Sequence, residues 1–174
     1  MKKIIILNGA PKKNGNTAGL IKAFTEGAIE AGNKVKEFYL HGMNIKGCLV
    51  CQGCKRKEKG TSRPCVQQDD MNEIYDYYIN ADVVVFASPI YWFTITGTLK
   101  VAVDRLYAIQ TNRGFDACKK DTVFIMTSGA PAEMNTNPIE WYSIFEKEMG
   151  WKNLGTILGS DKISEAKALG ASIK

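Results

Sequence analysis

The sequence predicts an α/β fold: a five-stranded parallel sheet in the order 2-1-3-4-5, doubly wound by helices. Three observations lead there. Short apolar runs alternate with stretches of helical period, the pattern of repeated βαβ units. The runs Ile4-Ile5-Ile6-Leu7, Val83-Val84-Val85-Phe86 and Val123-Phe124-Ile125-Met126 are continuous, as in parallel strands covered on both faces. The first of them breaks into a glycine- and lysine-rich loop that leads straight into a helix.

Strand 1 is expected over Lys3 to Asn8, and helix 1 from about Thr17 to Ala31. Leu20, Phe24 and Ala28 recur along its buried face and Gly32 terminates it. Strand 2, Lys34 to Leu40, mixes Lys36 and Glu37 with apolar residues and reads as an edge. From His41 to Gln68 neither period holds. Connections in such folds usually span about 2–6 residues, so a longer one is normally functional or disordered. Asp70-Met71-Asn72-Glu73 predicts a capping box opening a helix with Met71, Ile74, Tyr75 and Tyr78 on one face. Strand 3 spans Asp82 to Ala87, and Ser88 to Phe93 follows as a loop. A helix covers Gly97 to Ile109, and strand 4, Thr122 to Thr127, ends in Ser128-Gly129-Ala130-Pro131. Pro138 opens a helix to about Met149, strand 5 covers Leu154 to Leu158, and Ser160 or Asp161 caps a last helix to Leu169.

The 174 residues suit one domain, 1–174, with a cysteine-rich loop at about 42–68. No stretch approaches the roughly 20 apolar residues of a membrane span. Met1-Lys2-Lys3 with the apolar run behind it hints at a signal peptide, but the run stops at Asn8-Gly9 without a small-residue cleavage site. The protein reads as cytoplasmic. Net charge is +5, with a local excess in Lys55 to Lys59 and at Arg63. No nucleic-acid motif accompanies it, so it reads as a solvated loop or a surface attracting an anionic cofactor. The odd count of five cysteines argues against a disulfide framework, and four of them crowd one stretch.

In open α/β sheets ligands bind beyond the carboxyl ends of the strands, where the strand order reverses. That rule selects Gly9 to Thr17 and Ser88 to Phe93, with Thr127 to Pro131 beside them. The first is strand, loop and helix N-terminus, which together make an anion site. Gly9 and Gly15 let the backbone bend close to a ligand, and Asn16 and Thr17 can cap the helix or bond a phosphate. It is neither a Walker loop nor GxGxxG, and taken alone it reads equally well as an ordinary capped turn. The second offers Pro89, Ile90, Tyr91, Trp92 and Phe93 to a flat heterocycle, against the commoner fate of interior or interface packing. Phosphate at one end and a planar ring at the other describe FMN.

The segments GAPKKNGNT, CLVCQGC with the later Cys65, QQDDM, ASPIYW and GTLKVAVDR, in this order and spacing, resemble the NAD(P)H-dependent FMN reductases of the flavodoxin superfamily. The resemblance is closest to their iron–sulfur flavoprotein branch and covers nearly the whole chain. It implies a flavodoxin-like fold and FMN phosphate contacts from Lys12, Asn14, Asn16 and Thr17. It implies ring contacts from Pro89, Ile90, Tyr91, Trp92 and Phe93, with more from Ser128 and Gly129. Lys100, Asp104 and Arg105 match a segment often near the flavin or a subunit interface. The family commonly has Ser-Pro-Arg where Ala10-Pro11-Lys12 stands; a point charge in place of a forked guanidinium weakens the phosphate grip. The implied activity is electron transfer from NAD(P)H through FMN to a quinone, a flavin or a protein acceptor. The flavin carries that chemistry, so no catalytic side chain is assigned. The implied partner is a second copy, as homodimer or homotetramer.

Cys48, Cys51 and Cys54, with Cys65 later, can present four thiolates to one centre. A C-x2-C-x2-C run is typical of [4Fe–4S] ligation, whereas structural zinc more often uses two separated pairs. The gap from Lys55 to Pro64 is longer than in iron–sulfur flavoproteins and heavily basic, and either loops out or marks the loss of the cluster. A cluster, empty thiols and zinc therefore stay open, in that order. Cys118 reads as a bystander, and His41 as the end of strand 2. Two rival readings are a non-enzymatic electron carrier, against which the basic charge counts, and a thiol or zinc module without flavin.

Overall fold

The structure is a computed structural model that describes residues 1–131 and 135–174. Its sheet contains β1 (Lys3–Asn8), β2 (Lys34–Tyr39), β3 (Val83–Tyr91), β4 (Thr94–Ile95), β5 (Asp121–Thr127) and β6 (Lys152–Leu158). The parallel path runs β2-β1-β3-β5-β6, and β4 is a two-residue strand folded back antiparallel on the end of β3. The five long strands thus take the expected 2-1-3-4-5 order. The helices are α1 (Asn16–Glu30), α2 (Gly53–Arg56), α3 (Met71–Asn80), α4 (Gly97–Arg105), α5 (Tyr107–Arg113), α6 (Thr136–Met149) and α7 (Ile163–Ser172). Among the described residues no helix is long and apolar enough to cross a membrane.

Successive side chains of a strand point to opposite faces, and both faces are covered. Ile5, Leu7, Val84, Phe86, Phe124 and Met126 pack with residues of α3, α4, α5 and α6. Ile4, Ile6, Val83, Val85, Val123 and Ile125 pack with α1 and α7. Burial on both sides is why these strands are apolar at every position. On the second face α1 and α7 touch backbone to backbone. A Cβ on Gly27 would lie 2.1 Å from the Lys167 carbonyl oxygen, and one on Gly170 2.0 Å from that of Phe24.

Several elements depart from expectation. Strand β3 does not stop at Ala87: Ser88 and Pro89 continue the ladder opposite Met126 and Thr127, and Ile90 and Tyr91 pair with β4. The expected loop from Ser88 to Phe93 is therefore strand and hairpin. The helix from Gly97 is broken after Arg105, whose carbonyl accepts the Tyr75 hydroxyl (3.0 Å) rather than only a helical N–H. Asp70 forms no capping box; its carboxylate accepts the Asn44 N–H (2.7 Å), and Asp69 takes that of Met71 (3.2 Å). Neither Ser160 nor Asp161 caps α7, which begins after Lys162. Helix α6 opens at Thr136, leaving Pro138 in the first turn, where its missing N–H is tolerated.

The segment between β2 and α3 is irregular apart from a 3-10 turn (Leu40–Gly42) and α2. Its two ends are tied together: Asp69 accepts the Lys46 N–H (3.1 Å), and Asp70 N–H donates to the Asn44 carbonyl (3.2 Å). The basic gap does not loop out. Asn112 donates to the Glu58 carbonyl (2.9 Å), Lys59 to that of Thr111 (2.8 Å), and Arg113 to those of Gly60 and Thr61, laying the gap along α5.

Candidate functional site

A cavity of about 520 Å³ opens at the carboxyl ends of β1, β3 and β5. Its walls are Ala10 to Lys12 and Asn14 to Thr17, then Pro89 to Tyr91, then Thr127 to Gly129, with Ser160 beyond β6. The first turn of α1 forms one wall. Gly15 stands at its N-cap, no side chain caps it and no acidic residue lies in that turn. Its leading N–H groups and partial positive charge are left for an anion.

The loop that delivers this turn is held from several sides. The Asn8 side chain accepts the Ala10 N–H (2.9 Å) and donates to Glu37 (2.7 Å). Gly9 donates to the Ala87 carbonyl (2.8 Å), and a Cβ there would lie 2.6 Å from Thr96 Oγ1 and 2.7 Å from Leu99 Cβ. Only glycine lets the loop press against the start of α4, where the Thr96 hydroxyl donates to the Gly9 carbonyl (2.8 Å) and accepts the Leu99 N–H. The Tyr39 hydroxyl donates to the Pro11 carbonyl (2.7 Å). Buried Thr17 shares a hydroxyl–hydroxyl bond of 2.6 Å with Thr127.

Of the residues expected at FMN, Lys12, Asn14, Asn16, Thr17, Pro89, Ile90, Tyr91, Ser128 and Gly129 line this one cavity. Trp92 and Phe93 do not. They form the two-residue turn between β3 and β4, with φ of 49° and 66°. Such turns want Asn-Gly, and bulky residues held there cost about 1–3 kcal/mol each. Trp92 is 91% exposed. Thr127 belongs to the selected loop without being singled out, and Ser160 is a wall residue outside all three loops. Each follows or ends a sheet strand on the carboxyl side, so the strand-end rule already pointed at both.

A second cavity, of about 280 Å³, is lined by Cys48, Cys51, Cys54 and Cys65 together with Asp104, Arg105 and Tyr107. Gly53 packs so tightly on Val66 that a Cβ would lie 2.6 Å from its methyl groups, which seats Cys54 near Cys65. Val50 and Gln52 have φ of 53° and 58°. All five cysteines are free thiols. Among the described residues no three His, Cys, Asp or Glu side chains converge closely enough to hold a metal ion. The all-thiol donor set suits an iron–sulfur cluster, but here the thiols surround a shared space rather than close on one point.

Arg105 enters this cavity from the end of α4. Its Nη1 donates to Asp69 (2.7 Å) and to the Lys46 carbonyl (2.6 Å), and its Nη2 to Asp69 (3.1 Å); both side chains are 1% exposed. Burial works against the Asp69 carboxylate, yet the hydrogen bonds and charge of Arg105 and the Lys46 N–H hold its pKa below the ordinary value. Asp104 pairs with Lys100 on the helix surface. Of the segment expected near the flavin or a subunit interface, Asp104 and Arg105 line the cysteine cavity and none of the three residues lines the cavity at the strand ends. Cys118 lies in the core, its thiol pushed up to about 11 by burial. His41 sits in the 3-10 turn after β2.

The profile of the NADPH-dependent FMN reductases matches residues 2–162. The chain belongs to this family. This FMN reductase family member is 32% identical over 106 residues to an iron-sulfur flavoprotein of Archaeoglobus fulgidus, a match covering 61% of this chain and 46% of that one. It is 34% identical over 107 residues to an iron-sulfur flavoprotein of Methanocaldococcus jannaschii, covering 62% and 52%. The chain spans about half the length of these curated relatives. In three dimensions it is similar to the NAD(P)H:quinone oxidoreductase from Methanothermobacter marburgensis, with a TM-score of 0.73 over 99% of both chains. At 19% identity that likeness is one of fold, and the fold is flavodoxin-like.

Proposed function

We propose that this FMN reductase family member binds FMN in the cavity at the carboxyl ends of β1, β3 and β5. There it passes electrons from NAD(P)H to a quinone, a flavin or a protein acceptor. One observation carries the reading: the uncapped N-terminus of α1 and the Pro89–Tyr91 edge are walls of the same cavity. An anion site and a surface for a flat ring share one space.

The residues divide the work. The N–H groups at the start of α1, with Lys12, hold the phosphate; Asn14 and Asn16 stand at its rim. Asn8, Gly9 and Tyr39 keep that loop in place. Pro89, Ile90 and Tyr91 wall one side of the ring, and Ser128 and Gly129 offer polar groups from another. The Ser128 oxygen accepts the Ala130 N–H (2.9 Å), which leaves its own O–H to donate. FMN, once bound, supplies the hydride and single-electron chemistry. The protein positions and shields it, and no acid–base pair is required.

The four cysteines hold a [4Fe–4S] cluster in this reading, supported by their shared cavity and by the name of the relatives. A second copy completes the site as a homodimer or homotetramer, supported by the exposed Tyr91, Trp92 and Phe93 beside the cavity. Five free thiols suit the reducing cytoplasm.

Protein purified without oxygen and mixed with FMN tests the reading. Bound flavin absorbance that bleaches on adding NADH or NADPH supports it. Protein that binds no FMN refutes it, and bound FMN that neither donor bleaches leaves only an electron carrier.

A further inference from the structure

We infer that Arg105 tunes the cysteine cavity electrostatically, presenting its free Nε–H and positive charge to the sulfur-ligated centre held there and favouring that centre's reduced form. The inference rests on the cluster reading above.

Arg105 is not placed like a surface-pairing arginine. Both Nη atoms are used, by Asp69 and the Lys46 carbonyl, while Nε is buried with no partner among the described residues. A buried donor on a charged group is costly to leave unmade, and each such case calls for an explanation. Arg105 lines the cavity with the four cysteines, whereas Asp69 does not. The positive end of the pair is therefore the one that lines the cavity, while Asp104, the carboxylate in the same lining, is paired with Lys100.

A cluster bound by four thiolates is anionic and gains one further negative charge on reduction, with no bond formed or broken. Hydrogen bonds to sulfur and nearby charge are among the factors that set its potential. A fixed guanidinium whose side chain is buried at the wall of that cavity stabilises the more negative state, because a buried charge is screened less than an exposed one. The bidentate grip of Asp69 holds that charge in one place. The same pair ties Lys46, at the neck of the cysteine segment, to α4.

The test uses the full chain, reconstituted without oxygen with ferrous iron and sulfide, as wild type and as Asp69→Asn/Arg105→Gln. The double variant removes both charges together, leaving neither buried alone. Iron per chain is assayed, and the cluster midpoint potential is read by a redox titration followed by electron paramagnetic resonance. The expected result is equal iron loading, with the variant's reduction disfavoured about tenfold, a shift of about 59 mV to more negative potential. A fully loaded variant with an unchanged midpoint overturns the inference and leaves the cluster reading standing. A variant that folds and binds FMN but loses its iron also overturns it, because the pair is then a clamp. Wild type that takes up no iron overturns both.

Discussion

The hydroxyls of Thr17 and Thr127 lie 2.6 Å apart, joining the first turn of α1 to the end of β5 at the wall of the proposed FMN site. The two residues are 110 positions apart in the chain. One bond thus fixes the distance between the phosphate wall and the β5 wall.

Thr127→Val removes one partner and strands the buried Thr17 hydroxyl, an expected loss of about 1–3 kcal/mol. Thr17→Val/Thr127→Val replaces both with groups of the same shape and should recover most of it. Urea unfolding of the four proteins in the cycle measures the coupling. Additive losses in the double variant would show that the bond contributes nothing specific.

The turn at Trp92-Phe93 should yield the opposite sign. Replacing the pair with Asn-Gly supplies residues that favour positive φ. It should raise stability by about 2–6 kcal/mol, read as a higher Tm. If the aromatic tip serves a second copy or the ring, the same variant loses assembly in sedimentation or binds FMN more weakly. A variant that gains no stability would mean that the aromatics are not strained at this turn.

The buried Asp69–Arg105 pair makes stability depend on acid. The folded-state pKa of Asp69 lies below its ordinary value of 3.8, so its contribution is complete above that value and is lost as pH falls through the lower, folded one. Asp69→Asn should cost about 3–5 kcal/mol at neutral pH, because it leaves the guanidinium uncompensated. That difference should shrink as pH drops below 3.8. Urea midpoints of both proteins across this range are the check, and a pH-independent gap would contradict it.

The buried framework was legible because its physics is compositional. Parallel strands covered on both faces are apolar at every position, and Val83 to Phe86 and Val123 to Met126 say so without help. The strand-end rule then pointed to the loops that wall the proposed FMN cavity before any motif was needed. What the sequence hid depended on partners distant in the chain. Nothing local shows that Pro89 continues a strand, because its ladder partner is Thr127. Nothing in Trp92-Phe93 announces a tight turn, since neither is a turn residue. Asp70 reads as a helix cap until Asn44, 26 positions away, claims its carboxylate. The inward swing of Arg105 is equally silent. The expected helix runs on past it to Ile109, and only the fold ends α4 there and brings Asp69 and the cysteines to it.

The central claim is that the start of α1 is a phosphate site within a flavin pocket. Equilibrium titration of the apoprotein with FMN and, separately, with riboflavin tests it most directly, because the two ligands share the ring and differ only in the phosphate. Two charge-assisted hydrogen bonds or more should favour FMN by at least about 100-fold in Kd. Lys12→Ala should reduce that preference without abolishing it, since the backbone N–H groups remain. Equal affinity for FMN and riboflavin, or binding of neither, would contradict the account.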